Sequence, residues 1–174
     1  MIEFGGENKE INEKSKTAPF LLSLEDTMDN VLRVVIALPV EGEEGENLDN
    51  FPEPCKSKVD DLLIHSRPVH EDMERVYEIA FHDYVLYQNR NESYTVWDDY
   101  EIRKGNYLII FEKSRLLDFY EDVLFDFDDE ETKRDKRKHY GIYTENHILD
   151  VISNSEPKIR KISGRGKDTR VSEL

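Results

Sequence analysis

The sequence predicts an α+β domain: a mainly antiparallel β-sheet with at least one helix packed on it. Three observations lead there. Hydrophobic residues alternate with polar ones over Val76–Gln88, Tyr107–Phe111, His139–Thr144 and Ile148–Ser153, the period-two pattern of half-buried strands. The connections between these segments are short and turn-like, at Arg90-Asn91-Glu92-Ser93, Lys104-Gly105-Asn106 and Glu145-Asn146. They are too short for the helical crossovers that parallel strands need. One strongly helical stretch follows Ser114, a good N-cap, with Leu116, Leu117, Tyr120, Val123 and Leu124 on one face.

Taken in order, residues 1–17 are polar and read as a flexible arm, and residues 18–162 read as the single domain. Leu24, Met28, Val31, Leu32 and Val35 recur at three- and four-residue spacing, and Ser23 with Asp26 resembles a capping box. A helix is therefore expected over Leu24–Arg33 with an extended continuation to Leu38. The β-branched run Val34-Val35-Ile36 offers a strand as the alternative. Residues 41–50 form an acidic loop with five carboxylates between Glu41 and Asp49. Like charges at that density repel, so the loop is expected to be mobile. It lacks the ligand spacing of a calcium-binding loop.

The break at His82-Asp83 inside Val76–Gln88 reads as a bulge, or as part of a strand buried on both faces. Tyr94–Trp97 is short and β-prone. Beyond the helix, DFDDEETKRDKRK joins an acidic block to a basic one and reads as a loop or a frayed helical extension. EPKIRKI, Glu156–Ile162, reads as a last short strand, and residues 163–174 as a disordered basic tail.

Composition limits the function classes. The chain has 174 residues, 36% of them charged, and a formal charge of −15. Residues 158–174 hold six basic and two acidic side chains, a net of +4, so the first 157 residues carry the remaining −19. Such a body repels nucleic-acid phosphates and is steered toward basic proteins. Cys55 is the only cysteine, so no intrachain disulfide can form. The first residues lack the pattern of a secretion signal, and the longest apolar run, Val34–Val40, is too short to cross a bilayer. A cytoplasmic protein without membrane attachment is expected. No phosphate-binding glycine loop, dinucleotide fingerprint or zinc pattern occurs, so neither a cofactor nor a metal is expected.

The stretch FHDYVLYQNRNESYTVWDDYE, Phe81–Glu101, is the richest in chemistry. Aromatic rings among charged groups suit the anchors and rim of an interface. The candidate binding residues are Tyr84, Tyr87, Arg90, Glu92, Tyr94, Trp97, Asp98, Asp99 and Tyr100. The alternative is acid–base catalysis by His82, Asp98, Asp99 and His139. Neighbouring residues on a strand point to opposite faces, however, and His139 and His147 lie eight apart across a presumed turn.

Three stretches also carry a resemblance: Phe81–Glu101, GNYLIIFEKSRLLDF at Gly105–Phe119, and HYGIYTENHILDVIS at His139–Ser153. In that order they resemble a family of small, functionally uncharacterised bacterial proteins, over roughly the second half of the chain. The resemblance implies a hairpin, a strand–helix unit and a closing hairpin, and carries over no catalytic residue. In type, as a small, acidic, aromatic-rich chain, the protein is similar to the immunity proteins that neutralise bacterial toxins. The functional expectation is a non-enzymatic acidic module that binds a basic protein. An enzyme using the His/Asp cluster and an acidic nucleic-acid mimic are the alternatives.

Overall fold

The computed structural model describes residues 11–13, 15–44, 65–96, 98–123 and 137–162. Among the described residues, nine strands form two antiparallel sheets. The first sheet has the order β1-β2-β3-β9, from β1 (Phe20–Asp26), β2 (Leu32–Glu41), β3 (Val69–Phe81) and β9 (Lys158–Lys161). The second has the order β4-β8-β7-β6-β5, from β4 (Tyr84–Asn91), β8 (His147–Ser153), β7 (Lys138–Tyr143), β6 (Leu108–Lys113) and β5 (Ile102–Lys104). One helix, α1 (Arg115–Val123), follows β6. The α+β class with mainly antiparallel strands is thus the observed one. No helix among the described residues is long and apolar enough to cross a membrane.

The sheets face each other across one core. Leu32, Val34 and Ile36 of β2 and Tyr77, Ile79 and Phe81 of β3 meet Tyr140 and Ile142 of β7 and Leu149 and Val151 of β8. Each set occupies alternate positions of its strand, so each sheet presents one apolar face inward. Phe81 and Tyr140 join the two layers edge to face, with ring centroids 5.6 Å apart.

Several expectations need correction. The first is the helix over Leu24–Arg33, where the chain forms a hairpin of β1 and β2. Leu24 belongs to one strand and Leu32 and Val35 to the other, so their helical spacing is the accidental sum of two strands and a turn. The turn is closed by Thr27, whose N–H donates to the Val31 carbonyl (3.0 Å) and whose Oγ1 accepts from the Val31 N–H (3.2 Å). Asn30 takes a left-handed conformation with φ 60°, which asparagine tolerates better than most residues. Met28 at the tip is fully exposed.

The second correction concerns the sheet. One sheet was expected from the alternating segments; the structure divides them between two. The break at His82-Asp83 is a bend that carries the chain from β3 in one sheet to β4 in the other. The Asp83 carbonyl fixes it by accepting from the Asn154 N–H (2.9 Å) and the Ser153 Oγ (3.0 Å). Of the β-prone Tyr94–Trp97, the described residues Tyr94, Thr95 and Val96 are not a strand either. A short 3-10 turn, Glu92–Tyr94, is capped by the Asn91 side chain, and Thr95 and Val96 follow it without regular structure.

Within the expected arm of residues 1–17, residues 11–13 make a helical turn docked on the domain. Ile11 is fully buried in the core. Asn12 Oδ1 accepts from the N–H groups of Tyr107 and Leu108 (both 2.9 Å), and its Nδ2 donates to the Leu108 carbonyl (3.0 Å). It thereby satisfies the β5–β6 turn, where Gly105 has φ +104° and a Cβ would lie 2.1 Å from the Leu108 carbonyl oxygen. Residues 1–10, most of the acidic 41–50 loop, Cys55, Trp97, residues 124–136 and the 163–174 tail lie outside the described residues.

Of the expected helix face, Tyr120 is buried, while Leu116 and Leu117 are half-buried. Leu149, fully buried between the sheets, should lose about 2–5 kcal/mol on Leu149→Ala, and the half-buried Leu117 should lose less than that on Leu117→Ala. Urea unfolding of the two variants checks the order. Equal losses would mean that α1 is packed as deeply as the intersheet core.

Candidate functional site

The outer face of the second sheet differs from its inner one. Its positions hold Gln88 and Arg90 of β4, Ile148 and Asp150 of β8, His139, Gly141 and Tyr143 of β7, Phe111 of β6 and Arg103 of β5. These alternate with the core residues in the same strands and are paired across them by the register.

A buried carboxylate sits at the centre of this face. Asp150 is only 1% exposed. Its Oδ1 accepts from His139 Nε2 at 3.1 Å. Its Oδ2 accepts from Gln88 Nε2 at 3.0 Å and lies 3.3 Å from a terminal nitrogen of Arg90. His139, itself buried, stacks its ring on Phe111 with centroids 4.0 Å apart and planes 7° from parallel. Its Nδ1 is 2.8 Å from Ser114 Oγ. Ser114 Oγ also accepts from the Leu117 N–H (3.2 Å), which makes Ser114 the N-cap of α1.

The Nε2–H of His139 donates to Asp150, and its second ring nitrogen shares a hydrogen bond with the Ser114 hydroxyl. Burial by itself raises the pKa of Asp150. The hydrogen bond and charge of His139, the hydrogen bond of Gln88 and the charge of Arg90 outweigh it, and hold the carboxyl below its ordinary range. Gly141, directly opposite Asp150, leaves room for the neighbouring rings. A Cβ there would lie 3.0 Å from Phe111 and 3.1 Å from Tyr143.

Serine, histidine and aspartate in a row are the parts of a nucleophilic triad. Here the serine is fully buried, its Oγ already caps a helix, and it meets the imidazole at Nδ1. The set is arranged to tie the start of α1 to the sheet.

Over this face lies a groove. A cavity of about 580 Å³ is lined by Arg90, Glu92, Thr95, Val96, Glu101 and Arg103, with Tyr107, Tyr143 and Ile148 among its further walls. A recess of about 340 Å³ continues beneath α1, between Leu116 and Phe119, to His139 and Asp150. Arg90, Glu101 and Arg115 line both, so the two spaces adjoin. The wall that holds Asp98 and Tyr100 is pinned to the helix. Asp98 Oδ2 accepts from Arg115 Nε (2.7 Å) and Oδ1 from the Tyr100 N–H (2.9 Å). The Arg115 bond, before any other cause, holds the Asp98 carboxyl below its usual range. Tyr100 donates its OH to Asp118 (2.6 Å), and Lys113 and Arg115 sit 3.7 and 4.4 Å from its ring centroid.

The chain matches no family model, no curated protein and no solved structure.

The structure distributes the predicted binding residues over two regions. Arg90, Glu92 and Asp98 line the groove, Tyr100 supports its wall, and Tyr94 and Asp99 are exposed on the same segment. Tyr84 and Tyr87 instead pack against the intersheet core, and their rings meet each other edge to face at 5.6 Å. Tyr84 also donates to Asp26 (2.7 Å), which pushes its phenol up to about 12.

The alternative catalytic set is not gathered around His139. That ring spends both nitrogens on Ser114 and Asp150, whereas His82 is exposed in the bend between sheets. His147 lies at the turn end of the β7–β8 hairpin and His139 near its open end. Among the described residues no three His, Cys, Asp or Glu side chains come together as metal ligands. Sequence reasoning missed Asp150, Ser114, Arg103 and Arg115. The available signal was a lone aspartate inside the apolar run HILDVIS, which must find partners if the strand is buried on both faces.

The lowered pKa of Asp150 gives a pH prediction. Its contribution to stability is complete above the unfolded carboxylate pKa of about 3.9, and is lost as pH falls through its lower folded value. Asp150→Asn should therefore cost ~1–3 kcal/mol at neutral pH and flatten the stability profile below about pH 4. Chemical unfolding across pH checks both. An unchanged acid limb would show that Asp150 does not carry the linkage.

Proposed function

We propose that the protein is a non-enzymatic, acidic protein-binding module that acts on a basic partner protein, in the manner of an immunity-type inhibitor. The observation that carries this reading is the pair Tyr94 and Val96, 87% and 85% exposed on the segment that forms one wall of the groove. Large apolar groups beside Glu92 and Asp99 have the make-up of interface anchors with a charged rim. The net charge of −15 would steer a basic protein toward them. Similarity in type to toxin-neutralising immunity proteins points the same way, and a cytoplasmic location accords with it.

The two competing readings have less behind them. Catalysis would need a reachable nucleophile or a converging acid–base pair. Ser114 is enclosed, and His82 is not hydrogen-bonded to His139 or to Asp98. A mimic of nucleic acid would present carboxylates in an unbroken array, whereas Arg90, Arg103 and Arg115 interrupt those of the groove.

Surface-immobilised protein should be assayed against purified basic proteins, beginning with the products of neighbouring genes, at low and high salt. The expected result is binding that weakens steeply with salt, and a Tyr94→Ala variant that dissociates about tenfold faster or more. Its melting temperature should stay that of the wild type, since the ring is exposed. Salt-insensitive binding, or a Tyr94→Ala variant with an unchanged dissociation rate, would overturn the reading.

A further inference from the structure

We propose that the β5–β6 turn is a peptide-recognition site for an aliphatic residue followed by asparagine, and that the chain's own Ile11 and Asn12 fill it as a detachable latch. This site is independent of the basic-partner reading above.

The turn converges on one side chain. Three successive backbone N–H groups, those of Asn106 (3.3 Å), Tyr107 (2.9 Å) and Leu108 (2.9 Å), all donate to Asn12 Oδ1. Successive N–H groups aimed at one point form a receptor for an oxygen. Beside them the Leu108 carbonyl accepts from Asn12 Nδ2 at 3.0 Å. Donors for an oxygen next to an acceptor for an NH2 are the complement of a primary carboxamide. An aspartate would set its second oxygen against the Leu108 carbonyl, and a glutamine would carry the amide one methylene too far. Asn106 Nδ2 donates to the Asn12 backbone carbonyl (3.0 Å), so the main chain of the bound residue is held as well. Gly105 keeps the space open, since a Cβ there would lie 3.3 Å from Asn12 Nδ2 and 2.1 Å from the Leu108 oxygen that accepts from it. The preceding Ile11 is fully buried in the core cluster that also contains Leu108, which sets the aliphatic half of the motif.

Little else holds this occupant in place. Residues 11–13 make a single helical turn, too short to persist unaided. Among the described residues, the connector 15–18 makes one side-chain hydrogen bond, within itself, from Ser15 Oγ to the Thr17 carbonyl (2.6 Å). Its backbone makes none to either sheet, and the chain is first tied down at Pro19, whose carbonyl accepts from the Glu145 N–H (2.9 Å). Ile11 and Asn12 can therefore leave together while both sheets stay paired, which is a local opening and not an unfolding.

The probe is the acetylated and amidated peptide of residues 9–15, titrated into the full-length Ile11→Ala, Asn12→Ala variant and followed by amide chemical shifts. The expected shifts fall on Gly105, Asn106, Tyr107 and Leu108. The wild type should need about tenfold more peptide or beyond, because its own arm competes at high effective concentration. Asn12→Asp in the peptide should weaken it about tenfold or more, and Asn12→Ala should abolish the response. If the double variant does not fold, Asn12→Ala alone takes its place. Native-state amide exchange of the wild type gives a second reading. The N–H groups of Tyr107 and Leu108 should exchange through an opening less costly than the one that frees the Leu149 N–H in β8.

No response to the peptide, an equal response in wild type and variant, or shifts confined to other parts of the surface would overturn the proposal. An aspartate peptide that binds as tightly as the asparagine one would overturn the carboxamide assignment. Tyr107 and Leu108 amides that exchange only together with that of Leu149 would show that the latch does not detach.

Discussion

A carboxylate in the middle of a sheet that is covered on both sides has to be paired, because an isolated buried charge costs far more than a domain's whole stability. Asp150 is that group, and the second sheet is arranged around it. Its partners come from separate elements: Gln88 and Arg90 from the edge strand β4 and His139 from the neighbouring β7. The other ring nitrogen of His139 is hydrogen-bonded to Ser114, at the junction of β6 and α1. One carboxylate thus connects two flanking strands, the start of the helix and an arginine that opens into the groove. Removing any one member leaves the buried carboxylate with fewer partners than its burial requires.

The second sheet also has both faces occupied, which explains the run of buried positions in β7 and β8. The inner face meets the first sheet. The outer face is only partly covered, by α1 on one side and by residues 92–96 and 98–101 on the other, and the groove is the space left between them. Its walls are held by specific contacts: Asp98 with Arg115, Tyr100 with Asp118, and Arg103 with Tyr143. A surface fixed in this way loses little freedom on binding. Tyr94 and Val96 extend from that fixed wall into solvent, which is where an anchor for a partner would be of use.

Much of the second half was legible in the sequence. Its hairpins are short and its turn residues explicit: Gly105 with positive φ, and Asn91 and Ser114 as caps. Each of these signals depends on neighbours only a few residues away. The first half was misread because the β1–β2 hairpin turns through Thr27 and Asn30 without glycine or proline, so two strands and a turn imitated one amphipathic helix. The sheet change at His82-Asp83 has no local marker, since a bend and a bulge use the same polar residues. The site lay beyond the sequence for a further reason. Asp150, His139 and Ser114 come from three segments, and only the register of β8, β7 and β6 brings them together. Asn12, an apparent part of a polar arm, meets its carbonyl and amide partners more than ninety residues away.

The central claim is that Asp150 and Ser114 act through His139 as one unit that fixes α1 on the sheet. A double-mutant cycle of Ser114→Ala and Asp150→Asn, read by urea unfolding together with amide exchange in α1, tests it most directly. Ser114 and Asp150 share no contact except through His139. The account predicts a coupling above about 0.5 kcal/mol, and faster exchange in α1 for Asp150→Asn even though that residue does not touch the helix. Strictly additive losses, with α1 protected as in the wild type when Asp150 is replaced, would contradict it.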